Sequence, residues 1–297
     1  VVGSTGNPLP DVDVFADSFG GGGGGGNRSD SNGDYTIEGL SPGQYRVSAH
    51  APHLGFATQF YDKTSIWDKA KPVSVTSGTD TPSIDFVLAA GGTITGRVVK
   101  AATGPGKAGT FVPVANADVW AQSCDGTGGG GGDRTRADGT YRITGLEQGG
   151  YRVQASAPQQ GLIHQYYKDT SDWEKASNVT VNVGTTTAKI DFTLAGGGSI
   201  SGRVTNAVTG KGIPGAQINA FNDSGGNGTQ ADFDGFYRIE GLAAGKYRVE
   251  ANAPGFSVQY FNNVAEWDNA TLVEVVVGQN RPNTNFSLAA GGSISGT

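Results

Sequence analysis

Three copies of one pattern fill almost the whole chain, and no other feature restricts its fold as tightly. Gly91-Gly92-Thr93-Ile94-Thr95-Gly96 returns as Gly197-Gly198-Ser199-Ile200-Ser201-Gly202 and again as Gly291-Gly292-Ser293-Ile294-Ser295-Gly296. The blocks between these landmarks keep their order. Tyr35-Thr36-Ile37-Glu38-Gly39-Leu40 corresponds to Tyr141-Arg142-Ile143-Thr144-Gly145-Leu146 and to Tyr237-Arg238-Ile239-Glu240-Gly241-Leu242. Gly-x-Tyr-Arg-Val follows each, around Tyr45, Tyr151 and Tyr247, and then Ala-Pro at Pro52, Pro158 and Pro254. An aromatic pair after Gln and a trailing Trp complete each copy: Phe60-Tyr61 with Trp67, Tyr166-Tyr167 with Trp173, Tyr260-Phe261 with Trp267. A period of about 100 residues is domain-sized, so each copy can bury its own core, unlike the coil of a solenoid. The copies divide at 1–90, 91–196 and 197–290, and residues 291–297 read as the first-strand segment of a further repeat.

The phase of the repeats is offset. The first copy opens without its Gly-Gly-x-Ile block, while that block sits at the C-terminus. Joining Ser293-Ile294-Ser295-Gly296-Thr297 to Val1-Val2 reproduces the pattern from Thr93 to Val99, so the two ends are expected to form one strand between them. With no Met anywhere, the sequence reads as an excised or processed piece.

Within each copy the apolar residues alternate with period two. Ala117-Asp118-Val119-Trp120-Ala121-Gln122, Tyr151-Arg152-Val153-Gln154-Ala155 and Ile190-Asp191-Phe192-Thr193-Leu194 are examples. That is the signature of strands with one buried face. Asn32-Gly33, Asp138-Gly139 and Asp234-Gly235 supply turn chemistry between them. No segment shows a helical period beyond a turn near each Trp. About seven strands in about 100 residues, joined only by turns, predict an all-β chain: three tandem antiparallel seven-stranded β-sandwiches of immunoglobulin-like or transthyretin-like type. The absence of linkers predicts a stiff rod. Glycine tracts at 20–26, 128–132 and 225–228 fall between the second and third strands, and read as expanded surface loops or as backbone packed closely against a neighbour. They lack the Gly-Lys-Ser/Thr and following helix of a phosphate loop.

Composition narrows the function classes. A net charge of −6 gives no electrostatic footprint for nucleic acid, and no apolar run approaches a membrane span. Cys124 is the one cysteine, which excludes an internal disulfide. His50, His53 and His164 do not recur between copies, and no nucleophile–base order repeats, so no active site is expected.

With these blocks assembled, Gly-x-Ile-x-Gly-x-Val, Asp-Gly-x-Tyr-x-Ile-x-Gly-Leu and Gly-x-Tyr-Arg-Val, read in the third copy from Gly198 to Val204, Asp234 to Leu242 and Gly245 to Val249, the repeat resembles the carboxypeptidase regulatory-like family of the transthyretin-like sandwich. It is similar also to the Cna B-type repeats of Gram-positive surface adhesins. The resemblance implies noncatalytic domains of exported, extracellular or cell-surface proteins, serving as stalks, spacers or accessory modules. Some B-type repeats carry an isopeptide bond from a first-strand Lys to a last-strand Asn. Thr93 to Val98 and Ser199 to Val204 contain no Lys, so no such crosslink is expected.

Four sets of residues are candidates for more specific roles. Asp30, Asn32 and Asp34, and Asp232 with Asp234, resemble the start of a calcium loop, and the alternative is a hairpin turn. Otherwise no cofactor is expected. Tyr61 and Trp67, Tyr167 and Trp173, and Phe261 and Trp267 could stack on cell-surface glycans or pack within and between domains. Among six Asn-x-Ser/Thr sequons, Asn27, Asn222 and Asn227 are the loop candidates for glycosylation. Finally, Ser293, Ile294, Ser295, Gly296, Thr297, Val1 and Val2 form the candidate polymerisation strand. The leading expectation is a structural module of an extracellular filament or surface stalk, joined head-to-tail to copies of itself or to further repeats of the same chain. The alternatives are an adhesin or carbohydrate-binding tandem, or a noncatalytic appendage of an exported enzyme.

Overall fold

A computed structural model of the chain describes every residue except 22, 103–108, 125–128, 224, 295 and 297. The described residues form two compact units. One comprises Val1–Val98, Asp118–Gln154 and Ala176–Phe192; the other comprises Val99–Ala117, Ala155–Lys175 and Thr193–Thr297. The first holds the first repeat with part of the middle one, and the second holds the remainder of the middle repeat with the third.

The third repeat shows the sandwich in full. Its first strand, Gly198–Asn206, pairs antiparallel with Phe236–Leu242 and, along its other edge, parallel with Asn280–Arg281 and Phe286–Leu288. The parallel pairs follow from strand parity: in a sandwich of seven alternating strands, the last runs the same way as the first. The facing sheet runs Gly225–Gln230, Gln217–Asn222, Gly245–Asn252, then Gln259–Tyr260, with Val273–Val275 also on Gly245–Asn252. Ile200, Val204, Ile218, Tyr237, Val249 and Phe286 fill the space between the sheets. These are the period-two positions of their strands, so local alternation and the buried core agree.

The first repeat keeps the second of these sheets, with Asp13–Ser18 between Gly24–Arg28 and Gly43–His50. Val14, Ala16, Tyr45, Val47, Phe86 and Leu88 form its core. Its other sheet is reduced to Val2–Gly3 paired parallel with Val87–Leu88. A tyrosine at one repeated position is tied, in every copy, to the segment just before the last strand. Tyr35 and Tyr141 donate their hydroxyls to the Ile84 and Ile190 carbonyls at 2.6 and 2.5 Å, and Tyr237 donates to Thr284. Burial, with Asp85 adding to it at Tyr35, pushes the Tyr35 phenol far up, and burial alone does so at Tyr237, so both remain donors.

The glycine tracts are not simply expanded loops. Gly24–Arg28, Gly130–Arg134 and Gly225–Gln230 are edge strands, each in antiparallel register with the second strand of its repeat. Gly26 lies opposite Phe15 and Gly132 opposite Trp120. A Cβ on Gly26 would meet the Phe15 ring at 2.6 Å, and one on Gly132 the Trp120 ring at 2.2 Å. The exposed rings thus lie across the glycine backbone of this edge, beside the part of it that has no side chains of its own. Residues 22 and 128 of these tracts lie outside the described residues.

The first strand of the middle repeat, Gly92–Ala101, runs beyond the segment read for lysine and includes Lys100. The ladder partner of Lys100 is Val112 in Phe111–Pro113, not a residue of the last strand.

Candidate functional site: the repeat junctions

Each repeat meets the next through one short motif, and sequence reading did not single it out. After the strand Gly43–His50 the first repeat makes a single 3-10 turn, Pro52–Leu54, closed by Gly55 in the left-handed region. Gly91 N–H then donates to the Gly55 carbonyl at 2.7 Å and Ala57 N–H to Ala89 at 3.0 Å, which fixes the direction in which the chain enters the next first strand. The turn rests on the next repeat. Thr144 donates its hydroxyl to the Pro52 carbonyl at 2.6 Å, and a Cβ on Gly145 would stand 2.5 Å from Pro52 Cα. Gly145 has φ of +73°, at the irregularity where the ladder between Thr140–Leu146 and Gly92–Ala101 shifts register. Glycine is required twice there, by conformation and by contact.

The second junction repeats the first. Pro158–Gln160 forms the turn, Gly197 N–H donates to Gly161 at 2.7 Å and Ile163 N–H to Ala195 at 2.9 Å. A Cβ on Gly241, whose φ is +69°, would lie 2.4 Å from the Leu162 carbonyl oxygen. His164 packs beside this junction with its ring edge-on to Tyr166, and burial lowers its pKa.

The corresponding face of the first repeat is open. Gly39 has φ of +74° but nothing within 4 Å of a Cβ. Residues 35–40 form no strand, and Tyr35, Ile37 and Leu40 are half-buried, whereas Tyr141, Ile143 and Leu146 are buried. Between this segment and residues 78–85 runs a groove of about 790 Å³ that ends at Val1. Val1 itself is in register. Its amino group donates to the Gly33 carbonyl at 2.5 Å, as Val98 N–H does to Gly139 and Val204 N–H to Gly235. At the far end of the sequence Gly291 N–H donates to Gly255 at 2.9 Å, repeating the junction bond, and Gly292, Ser293, Ile294 and Gly296 are exposed. Ser295 and Thr297 lie outside the described residues.

The remaining candidates fall as follows. Asp30 accepts the amides of Asn32 and Asp34 through one carboxylate oxygen at 2.8 and 2.9 Å, and Asp232 accepts those of Asp234 and Phe236 at 3.0 and 2.8 Å. These carboxylates cap the hairpin turns, and no group of three His, Cys, Asp or Glu side chains converges among the described residues. Trp67 and Trp267 each open a 3-10 turn and are 45% exposed. Arg46 lies over the Trp67 ring at 4.7 Å, while Trp267 stacks on Phe221 at 4.7 Å and carries Arg248 at 5.0 Å. Trp173 stands edge-on to Tyr166. Tyr61 and Phe261 pack against their cores. Lys168 lies over the Tyr167 ring at 5.0 Å. Asn27 and Asn227 lie in the edge strands and donate their side-chain amides to Thr36 and Glu240 carbonyls at 2.7 and 3.0 Å, while Asn222 ends the second strand beside Tyr247. Among the described residues no helix is long and apolar enough to cross a membrane.

The carboxypeptidase regulatory-like domain family matches the sequence three times, over residues 1–89, 93–195 and 199–289. The chain belongs to this family. The three matches are the three repeats, each ending just before the next Gly-Gly landmark. Serine-aspartate repeat-containing protein D of Staphylococcus aureus (strain Newman) is 32% identical over 136 residues, which is 40% of this chain and 10% of that protein. The chain therefore spans only a tenth of the relatives it matches. Among solved structures it is similar to the minor pilin GBS52 of Streptococcus agalactiae, at 11% identity and a TM-score of 0.30, over 69% of this chain and 98% of the pilin. It is similar also to the shaft pilin spaA of Lactobacillus rhamnosus GG, at 10% identity and a TM-score of 0.28, over 69% and 100%.

Proposed function

We propose that the chain is a noncatalytic structural module of an extracellular filament or cell-surface stalk, in which successive repeats continue head-to-tail through the first strand. The observation that carries this reading is the junction. Two junctions use the same turn, the same pair of backbone hydrogen bonds and the same left-handed glycine, so the connection between repeats is a built contact with no free linker. A module designed to transmit force or hold spacing needs that; a module designed to bind a ligand does not. The rings and arginines beside Trp67 and Trp267 supply packing in the same sense. Membership of a family of accessory domains and similarity to a serine-aspartate repeat protein support a surface location.

Imaging of the native material tests this directly. Fibres or stalks that label with an antibody to the chain are the expected result. Dispersed particles with no surface or fibre labelling overturn it.

A further inference from the structure

We propose that His164 makes the second junction acid-sensitive: it seats neutral against the third repeat and leaves that seat on taking up a proton, which loosens the turn from the repeat it rests on. This rests on the reading of the junctions as built contacts and adds a control over one of them.

The ring stands where the junction is made. His164 lies two residues after Leu162, whose carbonyl meets Gly241, and directly after Ile163, whose amide donates to Ala195 at 2.9 Å. A Cβ on Gly225 would come within 3.2 Å of His164 Cε1 and 3.5 Å of Nε2, so one edge of the imidazole lies against the start of the strand Gly225–Gln230. Tyr166 stands edge-on to the ring from its own segment. With Ser171, Asn222, Asn227, Leu242 and Tyr247 the ring lines a cavity of about 10 Å³, room for a single water at most. A displaced ring therefore pulls on the two residues before it, which hold the turn in place.

A proton finds no counter-charge in this seat. The lining is made of serine, asparagine, glycine, leucine, alanine and tyrosine beside the histidine, with no carboxylate among them. The charges on the surrounding elements are engaged elsewhere. Asp169 accepts from Gln165 at 2.9 Å, Asp172 pairs with Lys175 at 2.9 Å, and Arg238 pairs with Glu240 at 2.8 Å. Arg248 lies over Trp267, and Glu250 accepts from Asn219. Glu174, Asp223 and Lys246 belong to the same elements, and none of them lines the cavity. Tyr166 and Tyr247 are the titratable groups against the ring, and a phenol supplies no negative charge in acid. Burial of the ring outweighs its hydrogen bond to the Ser171 backbone and lowers its pKa, so the proton is held better when the ring is out in water. The junction is then at full strength above pH ~6.5 and weakens as the pH falls below it, by at most about tenfold per pH unit for one proton. Thr58 and Val258 occupy the corresponding places before Gln59 and Gln259. Thr58 faces His50 of its own repeat at 3.2 Å, so the segment at the first junction carries no imidazole.

Amide exchange in the 297-residue chain tests the proposal, with rates corrected for the intrinsic pH dependence of exchange. Between pH 7.5 and 5 the protection of Gly197 and Ile163 should fall several-fold, while Ile218 and Val249 in the core of the third repeat keep theirs. In His164→Gln, which leaves a neutral hydrogen-bonding side chain in place, the fall should vanish and protection at pH 7.5 should remain. Constant protection of Gly197 and Ile163 across the range overturns the proposal. So does a fall shared equally by Ile218 and Val249, or one that survives in His164→Gln. In each of those cases strong protection of Gly197 and Ile163 at pH 7.5 leaves the built junction standing. Exchange of those two amides at pH 7.5 as fast as in the unfolded chain would instead remove the built contact, and the structural reading with it.

Discussion

Single residues explain why so much polar chemistry in this chain is structural. Asp30 and Asp232 spend one oxygen on the amides of their own turns, and Tyr35, Tyr141 and Tyr237 each close on a backbone carbonyl. His50 and His164 are residues whose protonation reaches stability. His50 accepts or donates to Ser48 and Thr58 at 2.8 and 3.2 Å, with Phe15 edge-on, and burial lowers its pKa against the opposing pull of Asp13 and Asp17. His164 is lowered by burial against a backbone hydrogen bond at Ser171. Both folded values lie below the unfolded value of about 6.5, so between the two the unfolded chain binds more protons. Stability is therefore complete above pH ~6.5, falls as pH drops through the window below it, and levels off beneath the folded values. Thermal midpoints measured from pH 7.5 to 5 should decline, and the decline should flatten in a His50→Gln, His164→Gln variant. A wild-type midpoint constant across that range would refute the assignment.

At the scale of elements, the edge strand makes the sharpest prediction. Gly132→Val places two methyl groups and a Cβ into the Trp120 ring, so the ring must leave its position or the strand must move away. Overpacking of this kind costs about 1–3 kcal/mol. In a Trp120→Ala background the same substitution should lose most of that cost and could gain from the β-propensity of Val. A double-mutant cycle in urea reads the coupling, and additive effects would show that ring and glycine do not interact. This strand also marks where the sequence was hard to read. Alternation exposed the strands that carry core residues, such as Ala117 to Gln122, because burial writes itself into side-chain type. Gly24–Arg28 and Gly130–Arg134 open on three glycines and end on polar residues, so they hold no apolar side chain in which alternation would show, and their signal is held instead by Phe15 and Trp120 on the neighbouring strand. The first-strand glycines were legible as landmarks, since repetition exposed them. Their reason, close approach of the chain that leads up to the last strand, at Val181 and Ile190 or Val276 and Thr284, was not.

Across the whole chain, the repeats were readable from period alone, and the family matches the sequence three times in tandem. The junction was not readable, because Gly145 and Gly241 sit inside a strand block and their partners, Pro52 and Leu162, lie about 80 to 90 positions away. Nothing local distinguishes a glycine needed for its φ from one needed for a neighbour. The three equivalent glycines separate those causes. Gly39, Gly145 and Gly241 share a left-handed φ, but only the last two touch a preceding repeat. Gly39→Val should cost backbone strain alone, about 1–3 kcal/mol. Gly241→Val adds a contact that cannot be accommodated, with Leu162 and Pro158 forced off the third repeat. Its extra cost should appear locally, as faster exchange of the Gly197 and Ile163 amides, while amides at Ile218 and Val249 keep their wild-type protection. Equal destabilisation by the two substitutions, with no change in exchange at Gly197, would mean that the turn rests on its neighbour without being held by it, and the junction would lose its claim to transmit force.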